Sequence, residues 1–165
     1  MQTTDVTIRP VQREDAAALR DNCFSANTLQ QVQDHIEQTL KAASEGKAVQ
    51  LVAVIDRVPI GIITLERNSH PLRAHRAELV GLVVDPRHQR EGIARRLVAE
   101  CRLRASQMGI EMLEISCRAG EPAEQVYRQL GFIEYGRLPR GLVEPGPDRK
   151  PFDEVYFYLP LSRRA

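Results

Sequence analysis

A chain of 165 residues, 42% apolar and 27% charged, has the length and make-up of one globular unit, and residues 1–165 are expected to form a single domain. A formal net charge of +1 gives no bulk attraction to nucleic acid, so only local basic patches remain. No window is long and apolar enough to span a membrane, and MQTTDVTIRP at the start lacks the apolar stretch of a signal peptide, so a cytoplasmic location is expected.

VTIRP (6–10) partly alternates in polarity and closes on Pro10, which predicts a short strand. The alanine-rich stretch 13–24 predicts a helix. Leu29, Val32, Ile36 and Leu40 recur at three- and four-residue steps, so 29–43 predicts an amphipathic helix that Gly46 stops. Two apolar, β-branched runs, 48–56 and 60–67, predict a hairpin joined by Arg57-Val58-Pro59. After a polar loop at 68–76, AELVGLVV (77–84) predicts another strand. A helix is expected from about Gly92 to Met108, with Ile93, Leu97, Cys101, Ala105 and Met108 as its apolar stripe. Residues 111–117 predict a strand, and 122–130 a short helix that starts on Pro122 and stops at Gly131. Strands at 132–137 and 154–161 close the chain. The connection 138–152 holds four prolines and is long for a hairpin, which predicts a lid or binding loop. This order predicts an α/β fold of the mixed α+β kind, with one twisted mixed sheet of about seven strands flanked by about four helices.

Cys23, Cys101 and Cys117 form an odd set without CxxC spacing, which predicts reduced, buried thiols. His35, His70, His75 and His88 show no metal-ligand spacing, so no metal is expected.

The segment VVDPRHQREGIARRL (83–97) places Gly92 and Ala94 among arginines where a helix begins. A helix start presents unbonded N–H groups and a partial positive charge, and small residues admit a close anion. The amides of Gln89, Arg90, Glu91, Gly92, Ile93, Ala94 and Arg95 are therefore candidates to wrap a pyrophosphate, with the side chains of Arg87, Arg90 and Arg95 adding charge. Neither GxxxxGK[ST] nor GxGxxG is present, so the two most familiar phosphate loops do not fit.

The remaining pattern, Gln/Arg-x-x-Gly-x-Gly/Ala between a strand and an arginine-bearing helix, resembles the acyl-CoA loop of the GNAT superfamily of N-acetyltransferases. Gln89, Gly92 and Ala94 fill its defined positions, and Arg90 stands where glycine is frequent. AEQVYRQLGFIEYG (123–136) resembles a later motif of that superfamily through Ala123, Tyr127, Gly131 and Phe132. Val126 replaces its leucine, and Gly120 stands where asparagine is common. TIRPVQREDAAAL resembles the first strand and helix, so the likeness runs in order along nearly the whole chain.

The resemblance implies a GNAT-like acyl-CoA N-acyltransferase fold and acetyl-CoA as cosubstrate. It implies Tyr127 as the acid facing the coenzyme sulfur, since a phenol of pKa about 10 keeps its proton at neutral pH; the plain alternative is a core tyrosine. It implies Glu78 as the base; the alternatives are an ion pair with Arg73 or Arg76, simple exposure, or a water relay. It implies main-chain contacts from Leu82, Val83 and Val84 to the pantetheine arm. Gly81 beside them marks either a bulge that opens a slot against 111–117 or a packing glycine.

Arg76-Ala77-Glu78, Ala119-Gly120, Ala123-Glu124, Tyr127 and the Gly136-x-Leu-Pro turn are similar to a GNAT branch that includes tabtoxin-resistance acetyltransferase. The function this implies is acetyl transfer from acetyl-CoA to the primary amine of a small, amino-acid-like or antibiotic-like molecule, by direct attack in a ternary complex. The connection 138–152 would cover that acceptor, with Glu144, Asp148 or Asp153 drawing in a cationic amine. Two readings stay open beside it: a protein N-terminus or lysine as acceptor, and a non-catalytic acyl-CoA-binding sensor. EVYFYLPL (154–161) either pairs two copies into a homodimer or finishes the sheet.

Overall fold

Strands β1 (Val6–Pro10), β2 (Ala48–Ile55), β3 (Val58–Arg67), β4 (Arg76–Val84), β5 (Met112–Arg118), β6 (Ile133–Val143) and β7 (Pro151–Pro160) form one sheet, ordered β1-β2-β3-β4-β5-β7-β6. Helices α1 (Ala16–Asn22), α2 (Leu29–Ser44), α3 (Ile93–Gln107) and α4 (Pro122–Gln129) complete the architecture, which matches the mixed fold that the sequence predicts. This computed structural model describes residues 5–162. The signal-peptide reading rests partly on residues 1–4, which lie outside the described residues.

Neighbouring strands run antiparallel except β4 and β5, a parallel pair that α3 connects. Two cores result. On one face α3 buries Ile93, Leu97 and Cys101 against Leu51, Ile63 and Leu65. On the other, Leu19 of α1 and Val32 and Ile36 of α2 meet Val52, Val54 and Ile62. β2 and β3 are thus covered on both sides, which is why their sequences are near-continuous apolar runs rather than alternating ones. Thr28 and Gln31 cap α2 reciprocally: each backbone N–H donates to the other's side chain, at 2.9 and 3.2 Å.

Three boundaries differ from the sequence expectation. The helix at 13–24 begins as a 3₁₀ turn, where the buried Asp15 carboxylate accepts from Gln12 N at 2.7 Å and from Arg9 at 2.8 Å. The β2–β3 turn is the pair Asp56-Arg57, both at positive φ, and Pro59 belongs to β3. A register shift between Ala53 and Val54 places a bulge beside Pro59, where its missing N–H breaks no ladder.

The third difference concerns the expected lid. Most of 138–152 is strand, because β6 continues to Val143 and pairs Leu142 with Phe152 and Val143 with Pro151. Pro139 falls in an irregular stretch between Leu138 and Leu142, and Pro151 is the first residue of β7. Prolines tolerated at a bulge and a strand start read as loop punctuation in the sequence. β7, which contains most of EVYFYLPL, is paired on both sides, to β5 and β6, so it finishes the sheet from within.

Candidate active site

The site is built where β4 leaves β5. Their pairing covers Arg76–Met112, Ala77–Leu113 and Glu78–Glu114 and goes no further. On its other side β4 stays paired to β3, but Gly81 and Leu82 together oppose Ile63 alone. Gly81 has φ +62° and no neighbour near its Cβ position, so it is a bulge glycine rather than a packing one. The bulge adds twist, the strands part, and a slot of about 460 Å³ opens between them. Glu78, Val80, Leu82, Ser116, Cys117 and Tyr127 line it.

Beyond β4 a 3₁₀ turn at Pro86–His88 leads to Gln89, and α3 starts at Ile93 with Gly92 as its N-cap. Arg90 and Gly92 both take the left-handed conformation, at φ +66° and +78°. Backbone of this alternating hand turns successive N–H groups into one concavity. Among the described residues, no hydrogen bond engages the main-chain N–H of any residue from 89 to 95; the first such bond is Arg96 N to Gly92 O, at 3.2 Å. Val84, Gln89, Arg90, Ala94, Arg95 and Val126 line the hollow there. Arg87 departs from its expected place at this loop. Its guanidinium donates to Asp85 at 2.8 and 3.2 Å and to Asn22 at 2.9 Å, so it braces the turn. Asp85 is 1% exposed, and the hydrogen bonds from Arg87 hold its carboxyl below the usual range despite burial.

Tyr127 projects from α4 into packed aromatic surroundings, with Phe157 edge-on at 5.8 Å and Phe132 at 6.0 Å between ring centroids. Burial, with a smaller effect of Cys117, pushes its phenol pKa up, so the proton stays on. No hydrogen bond engages its hydroxyl among the described residues. Glu78 has neither expected ion-pair partner. Arg76 turns instead to Glu114, at 2.7 and 3.0 Å, and the Tyr135 hydroxyl donates to the same carboxylate at 3.2 Å. Glu78 therefore stands between Glu66 and Glu114 on the flanking strands. Desolvation first, then repulsion from Glu114, Glu66 and Glu154, raises its pKa.

Residues 11–139 match the family model described as an acetyltransferase (GNAT) domain. The chain belongs to the GNAT acetyltransferase family. It is 30% identical over 137 residues to the L-amino acid N-acetyltransferase AaaT of Escherichia coli (strain K12), covering 78% of this chain and 83% of that protein. The fold matches an N-acetyltransferase from Staphylococcus aureus Mu50 with a TM-score of 0.82 at 17% identity, over 96% of this chain and 99% of the other. It also matches yncA of Salmonella typhimurium, solved with its cofactor acetyl-CoA, with a TM-score of 0.80 at 19% identity, over 98% and 96% of the two chains.

As a GNAT enzyme the protein is an acetyltransferase that draws on acetyl-CoA. Of the thiols expected to be buried, Cys101 is, while Cys23 and Cys117 are only half-buried; desolvation still pushes Cys23 and Cys117 up to about 11 and Cys101 up to about 12, which disfavours the thiolate. The acidic residues expected to greet the acceptor stand elsewhere. Glu144 pairs with Arg118 at 2.5 Å, Asp153 accepts from Arg140 N at 2.9 Å, and neither they nor Asp148 line the slot.

Sequence reasoning passes over two features of this GNAT site. One is Glu114, whose closeness to Glu78 depends on a parallel pairing 36 residues apart in the chain. The other is a second cleft, of about 290 Å³, between the sheet and the α1–α2 connection, where His35 and Gln50 sit. It shares Val80 and Gly81 with the slot.

Proposed function

We propose that this GNAT enzyme, acting as one domain over 1–165 in the cytoplasm, moves the acetyl group of acetyl-CoA to the primary amine of a small, amino-acid-like acceptor, with both substrates bound together. One observation carries the reading: the unbonded amides of 89–95 lie beyond the end of β4, and the slot that β4 borders is lined by Glu78 and Tyr127. The amides of Gln89, Arg90, Glu91, Gly92, Ile93, Ala94 and Arg95 hold the diphosphate, and the Arg90 and Arg95 side chains add charge. The main chain of Leu82, Val83 and Val84 borders the parting and offers hydrogen-bonding groups to the pantetheine arm.

Acetyl-CoA supplies an activated thioester, and the new C–N bond to the amine forms as the C–S bond breaks. Glu78 accepts the proton that the amine loses, and its desolvation, together with the carboxylates around it, makes it a better base than an ordinary glutamate. Tyr127 gives its retained proton to the departing sulfur.

The 30% identical relative is named for L-amino acids, which supports a small acceptor. The residues shared with the tabtoxin-resistance branch, Arg76-Ala77-Glu78 and Tyr127 among them, point to the same class. Only 144–150 of the expected lid stays outside the strands, and the cleft beside α2 supports a small acceptor instead. A homodimer would use the outer strand β6 rather than β7.

The test is release of free thiol from acetyl-CoA with a panel of L-amino acids, set against peptides with free N-termini and lysines. Turnover of amino acids is the expected result. Turnover of peptides alone would move the enzyme to protein acceptors, and tight binding of acetyl-CoA with no thiol release under any condition would make it a sensor.

A further inference from the structure

We infer that the cleft beside α2 is the acceptor's side-chain pocket, that Gln50 is its specificity-determining residue, and that the acceptor is an amine with an apolar body ending in an O–H or N–H donor. The inference rests on the slot being the site of acetyl transfer. Phe24, Val32, Ile62 and Val80 give the cleft apolar walls, and His35, Gln50 and Thr64 form a polar patch among them. Gln50, Thr64 and Val80 are register partners across β2, β3 and β4, so they make one row over the sheet. Two strand spacings span about 10 Å, so only a long side chain on the acceptor approaches the far end of the row. An amine held near Glu78 in the slot would lay such a side chain along that row, because Val80 and Gly81 line both cavities.

Gln50 shows what waits at the end of the row. It is 4% exposed, its Nε2 donates to Thr64 Oγ1 at 2.8 Å, and the same nitrogen lies 3.3 Å from His35 Nε2. Its Oε1 is the single buried side-chain polar atom without a hydrogen-bond partner among the described residues. Proteins keep few such atoms, because desolvating an unpaired amide oxygen is costly. Turning the amide toward the cleft would let a donor carried in by the acceptor satisfy it, whereas a purely apolar side chain would leave it stranded and a carboxylate would repel it.

Acceptor pairs matched in shape test this: L-tyrosine against L-phenylalanine and L-glutamine against L-methionine. The expected result is a preference in kcat/KM for donor-ended members by about tenfold or more. In Gln50→Met the preference should fall to about one, with acetyl-CoA affinity unchanged. Gln50→Asn, which keeps an amide but withdraws it, should weaken the preference without abolishing it. The side-chain amide resonances of Gln50, assigned by their loss in Gln50→Met or Gln50→Asn, should shift on titration with L-tyrosine in the presence of CoA. Equal rates within every pair, or a preference for the apolar members, overturns the inference while leaving acetyl transfer intact. If no amine releases thiol, the transfer reading fails by itself. The resonances then judge the pocket, and unmoved Gln50 signals reject it.

Discussion

Glu78 and Tyr127 are both shifted upward, chiefly by desolvation, and the same shift suits one to take a proton and the other to keep one. Tyr127 is raised by burial among aromatic rings, and Glu78 by desolvation together with its carboxylate neighbours. Tyr127→Phe removes only the hydroxyl, so kcat should fall by about 10²–10⁴ while the dissociation constant for acetyl-CoA, measured by calorimetry, stays put. Unchanged turnover would remove Tyr127 from the acid role. For Glu78 the base must be ionised, so kcat/KM should decline as pH falls through a pKa above the ordinary glutamate value of 4.5. Glu78→Gln should lower the neutral-pH rate and abolish that limb. The same shift has a stability sign. A carboxyl whose pKa is higher folded than unfolded is penalised once pH rises past its unfolded value. Glu78→Gln should therefore melt no lower than the parent near pH 7, and solvent screening keeps any gain small. Asp85 has the opposite sign. Its pKa is depressed on folding, so its contribution is present above the unfolded value of 3.8 and is lost as pH falls through the lower folded value. Asp85→Ala should cost about 1–3 kcal/mol at neutral pH and flatten acid unfolding.

At the level of elements, the loop before α3 and the β6–β7 hairpin teach different lessons. Gly92 and Ala94 mark the loop in the sequence because a left-handed N-cap and a close anion both demand small residues. Arg90 takes the left-handed conformation as well, at a strain of about 1–2 kcal/mol, so the absence of glycine there leaves the shape of the loop intact. No atom lies within 4 Å of a Cβ placed on Gly92, so a side chain there would project into open space. Gly92→Glu should fold with a modest loss of stability and lose acetyl-CoA binding, because a carboxylate would fill and charge the place proposed for the diphosphate. Normal affinity in that variant would refute the loop assignment. In the hairpin the same residue types mislead, since Pro139 and Pro151 occupy a strand irregularity and a strand start. Composition marks where a chain is interrupted, and it does not tell an interruption inside a ladder from the end of one.

Across the whole molecule, the β4–β5 junction joins the two parts of the sheet by a short run of paired residues. A ligand lying in the parting binds only the folded state, so acetyl-CoA at a hundredfold excess over its dissociation constant should add about 2.7 kcal/mol to stability. The melting temperature should rise with acetyl-CoA in the parent chain and stay fixed in Gly92→Glu. The sequence by itself determined the succession of strands and helices, the apolar runs of β2 and β3, the small residues of the proposed phosphate loop and the candidacies of Tyr127 and Glu78. Each of these is written in local spacing or in a motif. Tertiary structure alone decided that Glu114 rather than Glu78 takes Arg76, that Arg87 serves Asp85, that β7 lies inside the sheet, and that Gln50 meets His35 and Thr64 in a cleft. These contacts join residues on separate elements, or choose among several possible partners, and only packing brings such partners together or selects between them.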